Sequence, residues 1–219
     1  MRTLAELIHL EEPGIELVRG WAAEGGRAEL LPRDPARAEV ALVALQVSTR
    51  SPMGAVVYET GGLLVDHGWV RVLGGGGAGL PALDAWNRCV DARPQRLPGA
   101  LVVGWDVLGG FFALNGGAFG GPVGQVFYFA PDALEWESFE GGYSDWLSFL
   151  LAGDLAPFYG DARWPGWEQE AAGVPGDRAL NVLPWLSCAG PPLAERSRRA
   201  VPVEELWGLF VRGEREPHG

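Results

Sequence analysis

The segment from Ala100 to Leu151 constrains the fold most, because short apolar runs alternate there with glycine-rich turns. It reads ALVVGWD, GGFFALNGG and GGPVGQVFYFAPDALEWESFEGG, and it ends in YSDWLSFLL. Short runs rich in Val, Phe, Tyr and Trp, bounded by Gly, Pro, Asn and Asp, are typical of antiparallel hairpins. The sequence therefore predicts a meander with strands near 100–105, 110–114, 124–129 and 134–138, followed by a helix near 143–152.

The flanking regions extend this pattern into one α+β domain that spans residues 1–219, with a mostly antiparallel meander sheet and helices packed on it. Helices are predicted over residues 1–50, the sheet core over 54–152, and a closing segment rich in Trp and Pro over 153–219. Thr3 and Glu6 have the spacing of a capping box, which predicts a helix that begins near Leu4. Further helices are predicted from Pro13, over 35–47, from Pro81 to Val90, and over 203–211.

Three β-rich pieces precede the main meander in the run GAVVYETGGLLVDHGWVRVLGG. They cover Ala55–Glu59, Leu63–Asp66 and Trp69–Leu73, and glycine-containing turns separate them. The run ALVALQV within 35–47 fits a strand as well as a helix, and the helix is the prediction we adopt.

The charge balance bounds the classes of partner. The chain has 17 basic and 28 acidic residues, a net charge of -11, and every basic residue is an arginine. Such a surface repels phosphate backbones, so we expect no nucleic-acid partner, and a basic protein is the favoured one. The absence of lysine excludes Schiff-base chemistry and a Walker-type phosphate loop. No apolar run is long enough to cross a membrane, and two cysteines fit a reducing compartment, so we expect a cytoplasmic protein.

Catalytic candidates are few. Asp66 and His67 are adjacent, and a carboxylate beside an imidazole orients a general base. The same residues fit a hairpin turn, which is the more common role of such a pair at a strand end. Cys89 or Cys188 becomes a nucleophile only if His67 approaches one of them, and a small buried thiol is the usual alternative.

Carboxylates concentrate in the meander, and they alternate with apolar residues as in a half-exposed strand. We expect them to form a negative strip that attracts a cationic partner, and a glycosidase-type pair is the alternative. These candidate binding residues are Asp106, Asp132, Glu135, Glu137 and Glu140. Trp164 and Trp167 lie in the polar run DARWPGWEQE, where they serve either as exposed anchors for a partner or as closing residues of the core.

The run GGGGAG from Gly74 to Gly79 satisfies the dinucleotide-binding pattern G-x-G-x-x-G between a predicted strand and a predicted helix. The chain contains 33 glycines, which makes a chance match easy, and the predicted strand order is of the hairpin type. No His or Cys pair has the spacing of a metal site, so neither a metal nor another cofactor is expected.

Two resemblances bear on function. The blocks GWDVLGGFFALN, VFYFAPDALEW and SDWLSFLL resemble the core of the SUKH superfamily, which contains cell-wall assembly regulators and bacterial immunity proteins. The blocks TRSPMGAVVYETGGLLVDHGWVRVLG, GWDVLGGFFALNGG and FYFAPDALEWE make the whole chain similar to the bacterial DUF2625 family of unknown function. The SUKH resemblance implies a mixed α+β module that binds another protein, in bacteria often a toxin, and it carries no catalytic residues.

These observations lead to three hypotheses. The first is a non-enzymatic protein-binding module, of the immunity type if the partner is a toxin. The second is a small hydrolase that uses His67 with Asp66 or a cysteine. The third is a nucleotide binder at the loop from Gly74 to Gly79.

Overall fold

A seven-stranded antiparallel sheet forms the centre of the fold in the computed structural model, which describes residues 1–77, 79–89 and 95–213. The strands lie side by side in the order in which they occur in the chain, and each pairs only with its sequence neighbours. They are β1 (Ala28–Leu30), β2 (Gly62–Val65), β3 (Val70–Leu73), β4 (Ala100–Asp106), β5 (Phe111–Asn115), β6 (Gln125–Ala130) and β7 (Glu135–Gly142). The predicted α+β class and antiparallel meander are thus confirmed.

Helices connect and cover this sheet. They are α1 (Leu4–Leu7), α2 (Gly14–Gly25), α3 (Pro35–Leu45), α4 (Pro52–Glu59), α5 (Leu83–Asn87), α6 (Tyr143–Ala152), α7 (Ala156–Tyr159), α8 (Trp167–Ala172) and α9 (Val203–Leu206). Helix α2 contacts α4 and α6, α3 contacts α4, and α6 contacts β6 and β7. Short 3-10 turns cover Gly160–Ala162 and Leu193–Glu195.

Both faces of the sheet are buried at its centre, as two adjacent residues of β5 demonstrate. The ring of Phe112 lies 5.2 Å from that of Trp146 in α6, whereas the ring of Phe111 lies 4.9 Å from that of Trp207 after α9. Neighbouring residues of a strand point to opposite faces. The helix layer that contains α6 therefore covers one face, and the C-terminal segment covers the other.

Several predicted helix starts are confirmed. The backbone N–H of Thr3 donates to the carboxylate of Glu6 at 2.7 Å, and α1 follows at once. The Asp34 side chain accepts from the backbone N–H of Arg37 at 3.3 Å, which caps α3 one residue before Pro35. The predicted helix 143–152 coincides with α6.

The prediction of a strand over Ala55–Glu59 is wrong, because this run lies in α4. The hydroxyl oxygen of Ser51 accepts from the backbone N–H of Gly54 at 3.1 Å, and Pro52 occupies the first turn of the helix. Val56 and Val57 are both fully buried. A short helix that is apolar on all sides lacks the periodicity that distinguishes it from a buried strand.

The closing segment contains more regular structure than predicted. Strands β8 (Arg178–Leu183) and β9 (Ser197–Pro202) form a separate antiparallel hairpin. The predicted C-terminal helix does begin at Val203, and it continues as a π-helical turn over Trp207–Val211. No helix among the described residues is long and apolar enough to cross a membrane.

The glycine-rich run after β3 is packed against backbone. A Cβ atom added at Gly75 would lie 2.6 Å from the carbonyl oxygen of Val57 in α4. The backbone N–H of Gly75 donates to the carbonyl of Thr60, and that of Gly76 donates to the carbonyl of Gly61. These glycines therefore allow α4 and the sheet to approach closely, while Ala78 lies outside the described residues.

We expect Gly75→Ala to lower the free energy of unfolding by about 1–3 kcal/mol, because its methyl group displaces backbone rather than a flexible side chain. Urea denaturation followed by circular dichroism measures the change. Gly20→Ala is the matched control, since a Cβ at Gly20 in α2 meets nothing within 4 Å. It should stabilise the chain by about 0.5–1 kcal/mol through helix propensity. Equal losses in both variants would contradict the packing role of Gly75.

Candidate functional site

Asp106 ends β4 and is fully buried, with 0% of its surface exposed. The prediction that it belongs to an exposed acidic strip is therefore wrong. Its Oδ1 accepts from the backbone N–H groups of Leu108 and Gly110, both at 2.9 Å. These two bonds fix the turn between β4 and β5. A carboxylate at a strand end can serve such a turn or lie on the surface, and the sequence pattern does not distinguish these two roles.

The other carboxylate oxygen of Asp106 joins two further elements. Its Oδ2 accepts from the hydroxyl of Tyr128 in β6 at 2.7 Å and from that of Tyr159 in α7 at 3.4 Å. Burial raises the pKa of Asp106 from 3.8 to about 6, although these hydrogen bonds oppose the shift. Burial also raises the pKa of both tyrosines. The carboxylate thus connects a turn, a strand and a helix, and its hydrogen bonds are internal to the fold.

Arg71 in β3 is another buried charged residue, and it was not among the residues predicted from the sequence. Only 1% of its surface is exposed. Its guanidinium donates to the carbonyl oxygens of Val174 at 3.1 Å and Trp69 at 3.4 Å. Burial lowers its pKa to about 10, and attraction to Asp106 opposes the shift, so the group remains charged at neutral pH. A lone arginine within the apolar run WVRVL was the available signal.

Asp66 and His67 do not form a catalytic pair. Both have a positive φ, 54° and 58°, within the tight turn between β2 and β3. The Asp66 carboxylate pairs with the guanidinium of Arg163 at 2.5 Å. The exposed imidazole of His67 lies edge-on to the ring of Trp167, with centroids 5.8 Å apart. The turn separates the two side chains and gives each a different partner.

The hydrolase hypothesis also requires a nucleophile near His67. A cleft borders this residue, and its described lining includes no serine, threonine or cysteine. Burial raises the pKa of the Cys89 thiol, with a further rise from Asp84, which disfavours its thiolate. Cys188 is exposed in the loop between β8 and β9. The described side chains therefore assemble neither proposed form of a cysteine–histidine site.

The predicted anchor residues Trp164 and Trp167 belong to the closing segment. Trp164 is 4% exposed, so its role as an exposed anchor is wrong. Its indole N–H donates to Glu170 at 2.8 Å, and its ring lies 5.7 Å from that of Trp69. Trp167 is half-buried, beneath the guanidinium of Arg163 at 4.1 Å. Both indoles pack against Trp69, so they hold α8 and its flanking loop against the turn between β2 and β3.

The remaining acidic candidates do lie on the surface, along and beside β7. These exposed residues are Asp132, Glu135, Glu137 and Glu140. None of them forms an ion pair within the described residues. Among the described residues strand β7 pairs only with β6, so it is an edge of the sheet. The partly buried rings of Trp136 and Phe139 alternate with these acids.

The nucleotide hypothesis gains no support from the geometry. The strands on either side of Gly74 to Gly79 belong to an antiparallel meander, whereas a dinucleotide site requires a parallel βαβ unit. Within residues 1–77, 79–89 and 95–213, no three metal-ligating side chains cluster.

Comparison with known proteins identifies relatives that have no described activity. A family model for DUF2625, a protein of unknown function, matches residues 4–206. The putative uncharacterized protein YbfG of Escherichia coli K12 is 39% identical over 211 residues, which are 95% of each chain. An uncharacterized protein of Haemophilus influenzae is 34% identical over 208 residues, 93% of this chain and 91% of its own. No solved structure matches.

The buried carboxylate of Asp106 predicts a specific pH dependence. Its pKa in the folded chain, about 6, lies above its usual 3.8, so the folded state retains a proton that the unfolded state loses. The associated stability is present below pH 3.8 and is lost as the pH rises to about 6. The stability of the wild type relative to Asp106→Asn should therefore fall by on the order of 3 kcal/mol over this range.

Urea denaturation at a series of pH values measures this difference. Asparagine retains an acceptor oxygen for the turn, and its amide can donate to the tyrosine oxygens. Glu137→Gln, at an exposed position of β7, is the control for the loss of one carboxylate. Parallel pH profiles of the wild type and Asp106→Asn would show that Asp106 is not held in a buried site.

Proposed function

Since the chain belongs to the DUF2625 family, whose function is unknown, we propose that it is a non-enzymatic protein-binding module of the cytoplasm. The feature that carries the proposal is β7, an unpaired sheet edge with exposed and unpaired carboxylates. The partner is a protein with an extended basic segment, which adds to the sheet beside β7.

The backbone of β7 supports this mode of binding. The strand spans eight residues, Glu135–Gly142, and pairs with β6 on one side only. An edge strand presents unpaired N–H and C=O groups along its free side, and an extended peptide hydrogen-bonds to such an edge as an additional strand. The regular part of β7, Glu135–Ser138, is available to such a peptide, and a bulge follows it in which Glu140 has a φ of 62° and its N–H donates to Oγ of Ser138.

The charges of β7 define the chemistry of the partner. Glu135 and Glu137 occupy alternate positions of the strand, and Glu140 and Asp132 extend the negative surface beyond them. Opposite charges on adjacent strands stabilise pairing by about 0.2–1 kcal/mol per pair. Lysine or arginine at alternate positions of the incoming segment would meet these carboxylates.

The same charges disfavour self-association. An exposed edge is an aggregation hazard, and charged side chains on an edge prevent two copies from pairing. A second copy of this chain would bring acid against acid, whereas a basic segment would bring complementary charge. The acids of β7 therefore disfavour pairing with a second copy of the chain and favour a basic partner.

The SUKH resemblance supports one specific form of this function, an immunity-type protein that neutralises a toxin. In this form the basic segment belongs to the toxin, and its binding to β7 blocks the toxin's activity. Co-expression of the chain with the product of a neighbouring toxin gene tests this form: rescue of growth supports it, and undiminished toxicity argues against it.

The binding mode itself can be measured with a synthetic peptide of about ten residues in which lysine and valine alternate. We expect the triple variant Glu135→Gln, Glu137→Gln, Glu140→Gln to raise its Kd about tenfold, because three lost pairs at about 0.5 kcal/mol each sum to one decade. Isothermal titration calorimetry at low ionic strength measures the Kd. Added salt should weaken binding to the wild type more than to the variant.

The matched control is the variant Glu11→Gln, Glu24→Gln, Glu205→Gln, which removes three exposed acids that lie outside β7. It changes the net charge equally, so an unaltered Kd separates a local effect of β7 from a general electrostatic one. A peptide with methylated backbone nitrogens should lose binding, because it cannot donate to the strand. Equal Kd values for both triple variants, or full binding of the methylated peptide, would refute the proposal.

A further inference from the structure

A cleft of about 390 Å³ lies near the other edge of the sheet, across β1, β2 and β3. The segment around Arg27 and Glu29, together with Leu64 and Arg71, forms its floor. Cross-strand pairs place Glu29, Leu64 and Arg71 on one face, because Glu29 pairs with Leu64 and Leu64 pairs with Arg71. The turn at His67 and the end of α8 form its walls.

The charge of this cleft is opposite to that of the chain as a whole. Arg27, Arg71 and His67 line it, and Glu29 is the one carboxylate among its described lining residues. Neither arginine forms a salt bridge within the described residues. A chain with a net charge of -11 thus has a local basic site.

Arg71 is the feature that points to a ligand. Its side chain is almost completely buried at the floor of the cleft, and its Nε has no hydrogen-bond partner. The two carbonyl oxygens that its guanidinium contacts carry no net charge, and Asp106 acts on it only at a longer range. A buried charge with incomplete hydrogen bonding is costly, and an anion that reaches it would compensate that cost.

Arg71 lines the cleft beside Gly68, which has no side chain to cover its guanidinium. A Cβ atom added at Gly68 would lie 4.0 Å from Nη2 of Arg71, so a side chain here would lie over the group. The Nε of Arg27 is likewise buried without a partner, while its terminal nitrogen donates to the carbonyl of Gly153. The cleft therefore offers two guanidinium groups, and guanidinium donors match the paired oxygens of carboxylates and phosphates.

We propose that this cleft binds a small organic anion, with its carboxylate or phosphate group on Arg71 and its apolar part against Leu64 and Ala172. The volume lies within the range of small-molecule sites, about 300–1,000 Å³. The site is separate from β7, so this proposal does not depend on the protein-binding function.

Three probes test the proposal and distinguish the two head groups. Benzoate and phenyl phosphate share an apolar ring and differ in the anionic group, whereas benzyl alcohol has the ring without the charge. We expect saturable binding of at least one of the two anions, with chemical-shift changes centred on Gly68 and Arg71, and no binding of benzyl alcohol. Calorimetry and two-dimensional NMR on the full chain measure the two effects.

Two variants should remove the site by different routes. Arg71→Met keeps the length of the side chain and removes its charge, and we expect it to raise the Kd at least tenfold. Ala172→Asp adds a carboxylate at an exposed position of the cleft wall and should weaken binding to a similar extent without a change in the core. If Arg71→Met does not fold, Ala172→Asp still tests the proposal.

Arg178→Met is the control for the loss of one arginine, because Arg178 also donates to a carbonyl, that of Ala200, but is half-buried in β8 outside the cleft. Its Kd should equal that of the wild type. Failure of both anions to bind the wild type would overturn the proposal. The proposal would also be overturned if the folded cleft variants bound the anions as tightly as the wild type does. It would likewise be overturned if Arg178→Met weakened binding as much as Arg71→Met.

Discussion

The arrangement of the described elements depends on the hydrogen bonds of the buried Asp106 carboxylate. One of its oxygens holds the turn between β4 and β5, and the other binds the hydroxyls of Tyr128 and Tyr159. A buried carboxylate is stable only when its lone pairs are occupied, so these four bonds require the turn, β6 and α7 to meet at one point. The adjacent Arg71 extends this polar centre, since its guanidinium connects β3 to the segment after α8.

The residues that most resemble catalytic groups are therefore used within the fold. Asp106 has internal partners, and Asp66 is paired with Arg163 in the turn between β2 and β3. Within the described residues, unpaired carboxylates lie along β7 at one side of the sheet, and two guanidinium groups without a salt bridge line the cleft near β1 at the other. On this basis we propose that the two sides of the sheet bind ligands of opposite charge.

The sequence predicts the parts of this fold that depend on local patterns. The strands from Ala100 to Gly142 and helix α6 follow from alternation, turn residues and a long apolar helix, so they agree with the structure within a few residues. The run Ala55–Glu59 in helix α4 was predicted as a strand because it lacks an amphipathic period. The pairing of β8 with β9 was missed because the Pro-rich loop over residues 184–196 has no short hairpin-turn signal. Among the candidate site residues, Glu135 and its neighbours on β7 could be recognised as exposed, since they alternate with apolar residues. The burial of Asp106 and Trp164 could not, because it depends on segments that are remote in sequence.

Residue-resolved amide hydrogen exchange tests most directly whether the polar centre is structural and the edge of the sheet is free. The amides of Leu108 and Gly110 donate to Asp106, so they should exchange only through global unfolding and rank among the slowest in the chain. Amides on the free side of β7 should exchange rapidly in the isolated chain. Rapid exchange of Leu108 and Gly110, at a rate typical of open loops, would contradict the account, because Asp106 would then be a mobile carboxylate available for chemistry.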